Sequence, residues 1–440
     1  MFYLMPTGTI CKRKKTISNA IKRLDQTIER MKYLLIGFIL FLPFWGLSQS
    51  RTLDYFIQQA YQNSPVIKDY QNQILIAKID SQILRASTRT QVNFLNTNSY
   101  APVIRGWGYD PAITNIANVT AIFQANRNFV TANNLAAQLK TIGLQRNSLL
   151  DTMQLSEKDL VKTITDQYIT AYADQLAVAF TKEVFDLMKN EELMLKKLTE
   201  QNVFRQTDYL NFYVTMQQQE LTYLQAQNQY AADYLTLNYL TGVVDTTVDQ
   251  IEKPDLQDIV QNNIDTSIFL KRFATDSLRL KNERELVAYQ YKPKIGGYVD
   301  GGYNSSLQIT PYKNFGYSAG LSLTIPLYDG HQKQMKLSQI EIRERTRQAN
   351  KQFFLNQYYM QVAQLRRQLQ ATDLLVDKIN KQINYSHTLL VANNKLLETG
   401  DIIMRDYVTA INNYLNAQNL LTLNTIERLR ILNQINYWNR

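Results

Sequence analysis

Cysteine occurs once, at position 11, and histidine twice, at positions 331 and 387. A lone cysteine excludes a disulfide framework, so stability has to come from packing and association. Both histidines fall on one helical pattern, where a rise of 1.5 Å per residue would hold them about 84 Å apart, too far to share a metal ion. No Gly-x-Gly-x-x-Gly run opens a helix: Gly296-Gly297 and Gly301-Gly302 lie inside a strand pattern, where small residues accommodate crowding or a bend. Asn118-Val119-Thr120 matches a glycosylation sequon but also falls within a strand pattern. Without a convergent set of nucleophile, base or ligands, the chain is expected to be no enzyme and to hold no cofactor or metal.

Helix breakers are sparse. No glycine occurs between Gly143 and Gly242 or between Gly330 and Gly400, and no proline occurs from 112 to 253 or after Pro326. Such stretches predict very long helices, and one of some 70 residues would reach about 105 Å, more than a compact domain can contain.

Long apolar runs are also few. The strongest spans Leu34 to Leu47, follows Lys32 and ends in Gly46-Leu47-Ser48, a small-x-small cleavage signature. It is too short and wrongly flanked for a spanning helix and reads as a signal peptide over 31–48. Met31 opens the run, so residues 1–30 are expected to be a mis-assigned start, a genuine basic leader being the alternative. Residues 1–48 hold eight Lys/Arg and two Asp/Glu, so of the net +10 only +4 belongs to residues 49–440. A nucleic-acid partner therefore loses its electrostatic support. No cysteine stands at the cleavage point, which argues against a lipid-anchored N-terminus.

What is present is a pattern repeated at an offset of about 200 residues. Leu53-Asp54 recurs as Leu256-Gln257, Val119–Asn128 falls opposite Leu321–Gly330, and Asp208-Tyr209-Leu210 matches Asp406-Tyr407-Val408, with Asn202 opposite Gly400. Residues 49–250 and 251–440 each read as helix, strand, loop, strand, very long helix, break, helix. The first half has a helix over Thr52–Ala86, strands within about 90–125 and long helices over about 128–240, broken at Asn202. The second has a helix over Asp255–Tyr289, strands within about 294–327 and long helices over about 332–437. Ile164, Tyr168, Tyr172, Leu176, Phe180 and Val184 form one stripe at four-residue spacing, the seam of a coiled coil.

The strands alternate cleanly. Tyr317, Ala319, Leu321, Leu323 and Ile325 fall on one face, with Ser318, Gly320, Ser322 and Thr324 on the other; Ala117, Val119, Ala121 and Phe123 repeat the pattern more weakly. Aromatics crowd the strand ends at Tyr100, Trp107, Tyr109, Tyr312 and Phe315, as an interfacial girdle would. A strand of a soluble sandwich alternates in the same way, so pattern alone leaves both readings open. Four strands cannot close a barrel, whereas three chains would supply twelve.

Leu53–Pro65 with Asn63-Ser64-Pro65, Leu237-Asn238-Tyr239-Leu240-Thr241-Gly242, Tyr291-Lys292-Pro293-Lys294-Ile295, Gly320–Gly330 and Glu398-Thr399-Gly400 through Asp406-Tyr407-Val408 together resemble the TolC-like outer-membrane efflux proteins. The resemblance implies a mainly α fold with a membrane β-barrel. A homotrimer would form a twelve-stranded barrel in outer-membrane lipid, continuous with a long α-helical barrel in the periplasm. It also implies an exit duct serving an inner-membrane transporter through a periplasmic adaptor. Acidic residues just past the tip turn would form the gate constriction, here Asp406 and Asp208. Some members carry a second aspartate where this chain has Thr409, so Arg405 pairing across helices is an alternative element of the gate. Asp406 also reads as a solvated acid in a first helical turn, favoured by the helix dipole. Asn202, Gly400 and Asp401 would turn the chain at the tip, with residues 199–207 and 397–405 meeting the adaptor. The alternative reading is a soluble periplasmic coiled-coil structural or adaptor protein. N-terminal sequencing of the exported product is expected to read from Gln49; a sequence beginning upstream of Met31 would disprove the leader assignment.

Overall fold

The computed structural model describes residues 51–259, 264, 267–308 and 310–439. The expected signal peptide at 31–48, the expected mis-assigned start at 1–30 and Cys11 lie outside the described residues. Helices Leu53–Asn63 (α1) and Pro65–Ser87 (α2) lead into strand Gln91–Tyr100 (β1), a short turn of helix Pro111–Thr114 (α3) and strand Ala117–Phe129 (β2). Helices Ala132–Glu200 (α4) and Gln206–Thr241 (α5) complete the first half. The second half runs through Ile268–Gln290 (α6), strands Lys294–Ser305 (β3) and Phe315–Thr324 (β4), and helices Gln332–Thr399 (α7) and Met404–Asn439 (α8). With 69 residues, α4 is a rod of about 100 Å.

Several boundaries differ from the sequence reading for local reasons. The helix expected over Thr52–Ala86 is two helices, because Ser64 leaves helical geometry. Its Oγ accepts from the Ile67 N–H, and Pro65, with no N–H to satisfy, starts the next helix. The helix expected from Asp255 begins at Ile268 instead. Extended backbone around 257–259 is held by α8: Asn436 accepts from the Ile259 N–H at 3.0 Å and donates to the Gln257 carbonyl at 2.9 Å, while Asn439 donates to the Ile259 carbonyl at 2.7 Å. These side chains replace the intrahelical partners that the segment would otherwise need. In turn, β2 runs on to Phe129 before α4 starts at Ala132, and β4 stops at Thr324, two residues before Pro326, which cannot donate to a ladder.

The four strands form one antiparallel sheet in the order β1-β2-β3-β4. Register places Tyr100 opposite Ala117, Val119 opposite Ser305, and Tyr303 opposite Phe315. The β1–β2 and β3–β4 loops therefore share one end of the sheet, and α2, α4, α6 and α7 all join it at the other. The β2–β3 ladder ties the two halves together. Gly302 makes this ladder possible, since a Cβ there would lie 2.3 Å from the Ala121 carbonyl oxygen and 2.7 Å from Ile122 Cα.

Within the helical part, α4 packs along α5 and α7 along α8, while α2, α6 and α8 also pack on α4. Phe56 stands edge-on to Tyr168 and Tyr234, all three fully buried. Farther along α4, Val184, Met188 and Leu195 join Phe212, Leu397 and Tyr407 in a second core that fastens both hairpins together near their turns. Five of the six residues of the stripe expected on α4 face these cores, Leu176 being the exception: Ile164, Tyr168 and Val184 are buried, and Tyr172 and Phe180 pack against them. Gly302→Ala should destabilise the sheet by about 1–3 kcal/mol, because backbone atoms must move to admit the methyl group. A lowered denaturant midpoint would report it, and an unchanged midpoint would show that the β2–β3 ladder tolerates a side chain there.

Candidate functional site

The sheet is two-faced, and both faces are open. Val92, Phe94, Phe123, Val299, Tyr317, Leu321 and Leu323 share one face through the register. Their exposures run from 56% at Phe94 to 91% at Tyr317. No second sheet or helix of the described residues covers them. The opposite face carries Asn93, Gln124, Asp300 and Ser318 in one row across all four strands. Ser318 Oγ donates to Asp300 Oδ2 at 2.9 Å, and Thr120 Oγ1 donates to Asn304 Oδ1 at 3.2 Å. This row was not recognised in the sequence, where Asp300 sits among glycines; its signal was the period-two position it shares with Ser318.

The five aromatics singled out as a girdle gather at the loop end. Tyr100, Trp107, Tyr109, Tyr312 and Phe315 are 74–85% exposed. Trp107 closes a tight turn on Ile104 through a reciprocal pair of backbone hydrogen bonds. The turn passes through Arg105 and Gly106, both at positive φ.

At the other extreme the two long hairpins turn. Asn202 has φ 63° and Gly400 φ 76°, and the same pair of bonds surrounds each. Val203 donates to the Leu198 carbonyl and Asn202 to Thr199; Asp401 donates to Leu396 and Gly400 to Leu397. Both are Schellman closures, which require a left-handed residue and tolerate Gly or Asn there. Asp401 also accepts from Thr399 Oγ1 at 2.6 Å. Asp208 and Asp406 lie in the first turns of α5 and α8, where carboxylates complement the exposed N–H groups. Arg405, the alternative gate element, has its Nε 3.6 Å from Asp406 Oδ1. Both side chains are largely exposed, so the pair is weak. Beside the turn, Tyr209 donates to Glu192 Oε1 at 2.5 Å, which with burial pushes its hydroxyl up to about 12. The corresponding Tyr407 is fully buried, and burial raises its hydroxyl too.

Along the wall, Asp174 of α4 meets Asp233 of α5. Burial, then the hydrogen bond and like charge of Asp233, push the Asp174 carboxyl up to about 7. Burial opposes ionisation of Asp233 too. Hydrogen bonds from Asp174, Gln229 and Gln167 nonetheless hold it below the usual range. The protonated form of Asp174 is thus favoured beside an ionised Asp233.

No protein-family description matches the sequence, and no curated protein does. Solved structures do match. CusC, studied for the conformational changes accompanying folding and transmembrane channel formation, aligns with a TM-score of 0.73 at 11% identity over 88% of this chain and 92% of that one. The outer membrane protein VceC of Vibrio cholerae aligns at 0.69 and 13%, over 88% of this chain and 96% of its own. The open state of the Neisseria gonorrhoeae MtrE outer membrane channel aligns at 0.69 and 11%, over 88% of each. The chain has the fold of these channels.

The carboxyl pair makes stability depend on pH in a definite sense. A folded value of about 7 against an unfolded 3.8 means that the folded state holds the extra proton. The contribution is complete below pH 4 and is lost as pH rises through 7. Asp174→Asn keeps a donor at every pH, so its melting temperature should rise relative to wild type between pH 5 and pH 8. Parallel profiles for the two proteins would exclude the protonated Asp174.

Proposed function

We propose that the chain is the outer-membrane exit duct of a tripartite efflux or secretion system. Three copies join their sheets into a twelve-stranded barrel and their helices into a tube through the periplasm. The observation that carries this reading is a four-stranded sheet with two unpaired edges and an apolar face bare among the described residues, joined at one end to α2, α4, α6 and α7. In lipid the apolar face is solvated by hydrocarbon, and the edges are satisfied only by another chain. The aromatics at the loop end then lie at the outer interface, and helices of about 100 Å carry the tube inward. Efflux as the task is supported by the fold shared with known outer-membrane channels.

The paired element order, with matching turns at Asn202 and Gly400, supports two internal repeats. Residues 199–207 and 397–405 form the tip that meets a periplasmic adaptor, which links the duct to an inner-membrane transporter. Three copies of Asp406, and more weakly Asp208, line the constriction, with Arg405 tempering the charge of its neighbour rather than bridging helices. An anionic ring of this kind favours cations and permits gating by charge. The alternative, a soluble coiled-coil periplasmic protein, leaves Phe94, Tyr317 and Leu321 in water with no cover. Nothing in the near-neutral 49–440 region favours nucleic acid.

Fractionation should recover a detergent-dependent, heat-modifiable trimer from the outer membrane; a detergent-free periplasmic monomer would overturn the assignment. Asp406→Ala should raise single-channel leak and cellular sensitivity to large antibiotics by about two- to fivefold. Conductance and cation block identical to wild type would remove Asp406 from the gate.

A further inference from the structure

The strand face opposite the apolar one is charged at only two places among the described residues, Lys294 and Asp300. Lys294 starts β3 at the helix end. Asp300 lies six residues on, about 20 Å farther along an extended strand. It sits in the row Asn93, Gln124, Asp300, Ser318, which crosses the whole sheet.

Its surroundings keep the charge open to the space over that face. On the loop side the next row is Leu95, Ile122, Gly302 and Gly316, so β3 and β4 present no side chain there. A methyl group at Gly316 would meet no atom within 4 Å. On the helix side the Tyr298 ring lies over Gly320, where a Cβ would come within 2.5–2.8 Å of ring atoms; the ring therefore covers the neighbouring glycine. Among the described residues, the carboxylate's hydrogen bond comes from Ser318. A neutral hydroxyl satisfies one lone pair but leaves the negative charge uncompensated. Such a charge is costly in a sheet bordered by hydrocarbon unless it faces water.

We propose that Asp300 is a charge-selectivity determinant inside the barrel, separate from the tip: three copies form an anionic belt that favours small cations over anions. The inference rests on the trimeric channel reading and adds to it a selecting level at the membrane end of the duct. Mobile ions screen such a belt, over about 30 Å at 0.01 M salt but only about 3 Å at 1 M, so the preference is a low-salt property. The flanking amides of Asn93 and Gln124 hydrate an ion of either sign and add no bias of their own.

The test is reversal potential across planar bilayers under a potassium chloride gradient. Asp300→Asn, which keeps the shape and can still accept from Ser318, should lower the potassium-to-chloride permeability ratio about threefold near 0.01 M salt and hardly at all near 1 M. A second arm uses Asp300→Cys with Cys11 replaced by serine, so that the only thiol lies at position 300. A cationic thiol reagent should depress the ratio further, and an anionic one should restore it in the same channels. If wild type and variants conduct with equal ratios, or if both reagents react without changing the ratio, the belt is refuted while the channel stands. If the wild-type protein inserts but forms no conducting pore, the channel reading fails and the belt with it.

Discussion

A backbone N–H or C=O in hydrocarbon must find a partner, and β1 and β4 each leave one side of their ladders unpaired. Everything else in the molecule is arranged around that deficit. The sheet is too narrow to curl into a barrel, and none of the described residues covers its apolar face. In the proposed trimer identical edges would meet and lipid would surround the apolar face, so membrane residence and self-association would be one requirement.

The helices extend the same constraint into water. Because all four strands join helices at one end, closing the sheet would bring the helices into a ring, and their packing would be set by the barrel's circumference. The two halves are coupled through the β2–β3 ladder at one end, through the core of Met188, Leu195, Phe212 and Tyr407 at the other, and through the packing of α6 and α8 on α4 between them. Between these points the wall is held by aromatic clusters and by side-chain amides that satisfy irregular backbone, as Asn436 and Asn439 do around residues 257–259. The turns at the tip thus sit on a well-packed base.

Much of the fold was legible because the relevant signals are local. Long gaps without glycine or proline mark α4 and α7 to within a few residues, and period-two alternation marks β4 and, more weakly, β2. Left-handed turns at Asn202 and Gly400 follow from residue types that tolerate positive φ. What failed did so where distant groups intervened. The helix expected from Asp255 gives way to a strap pinned by α8, 180 residues away in sequence between Ile259 and Asn439. The carboxyl pair of Asp174 and Asp233 was invisible because each aspartate alone looks like a solvated helix charge.

Taken by itself, the order of residues determined element type, element length and the division of each strand into an apolar and a polar side, since these depend on spacing within one segment. Only the tertiary structure decided that the apolar side is uncovered, that β2 rather than an outer strand joins the halves, and that Asp300 lines up with Ser318, Gln124 and Asn93. Those facts depend on register and on which surfaces meet. A one-residue slip in pairing would reverse every face without altering the pattern of any single strand.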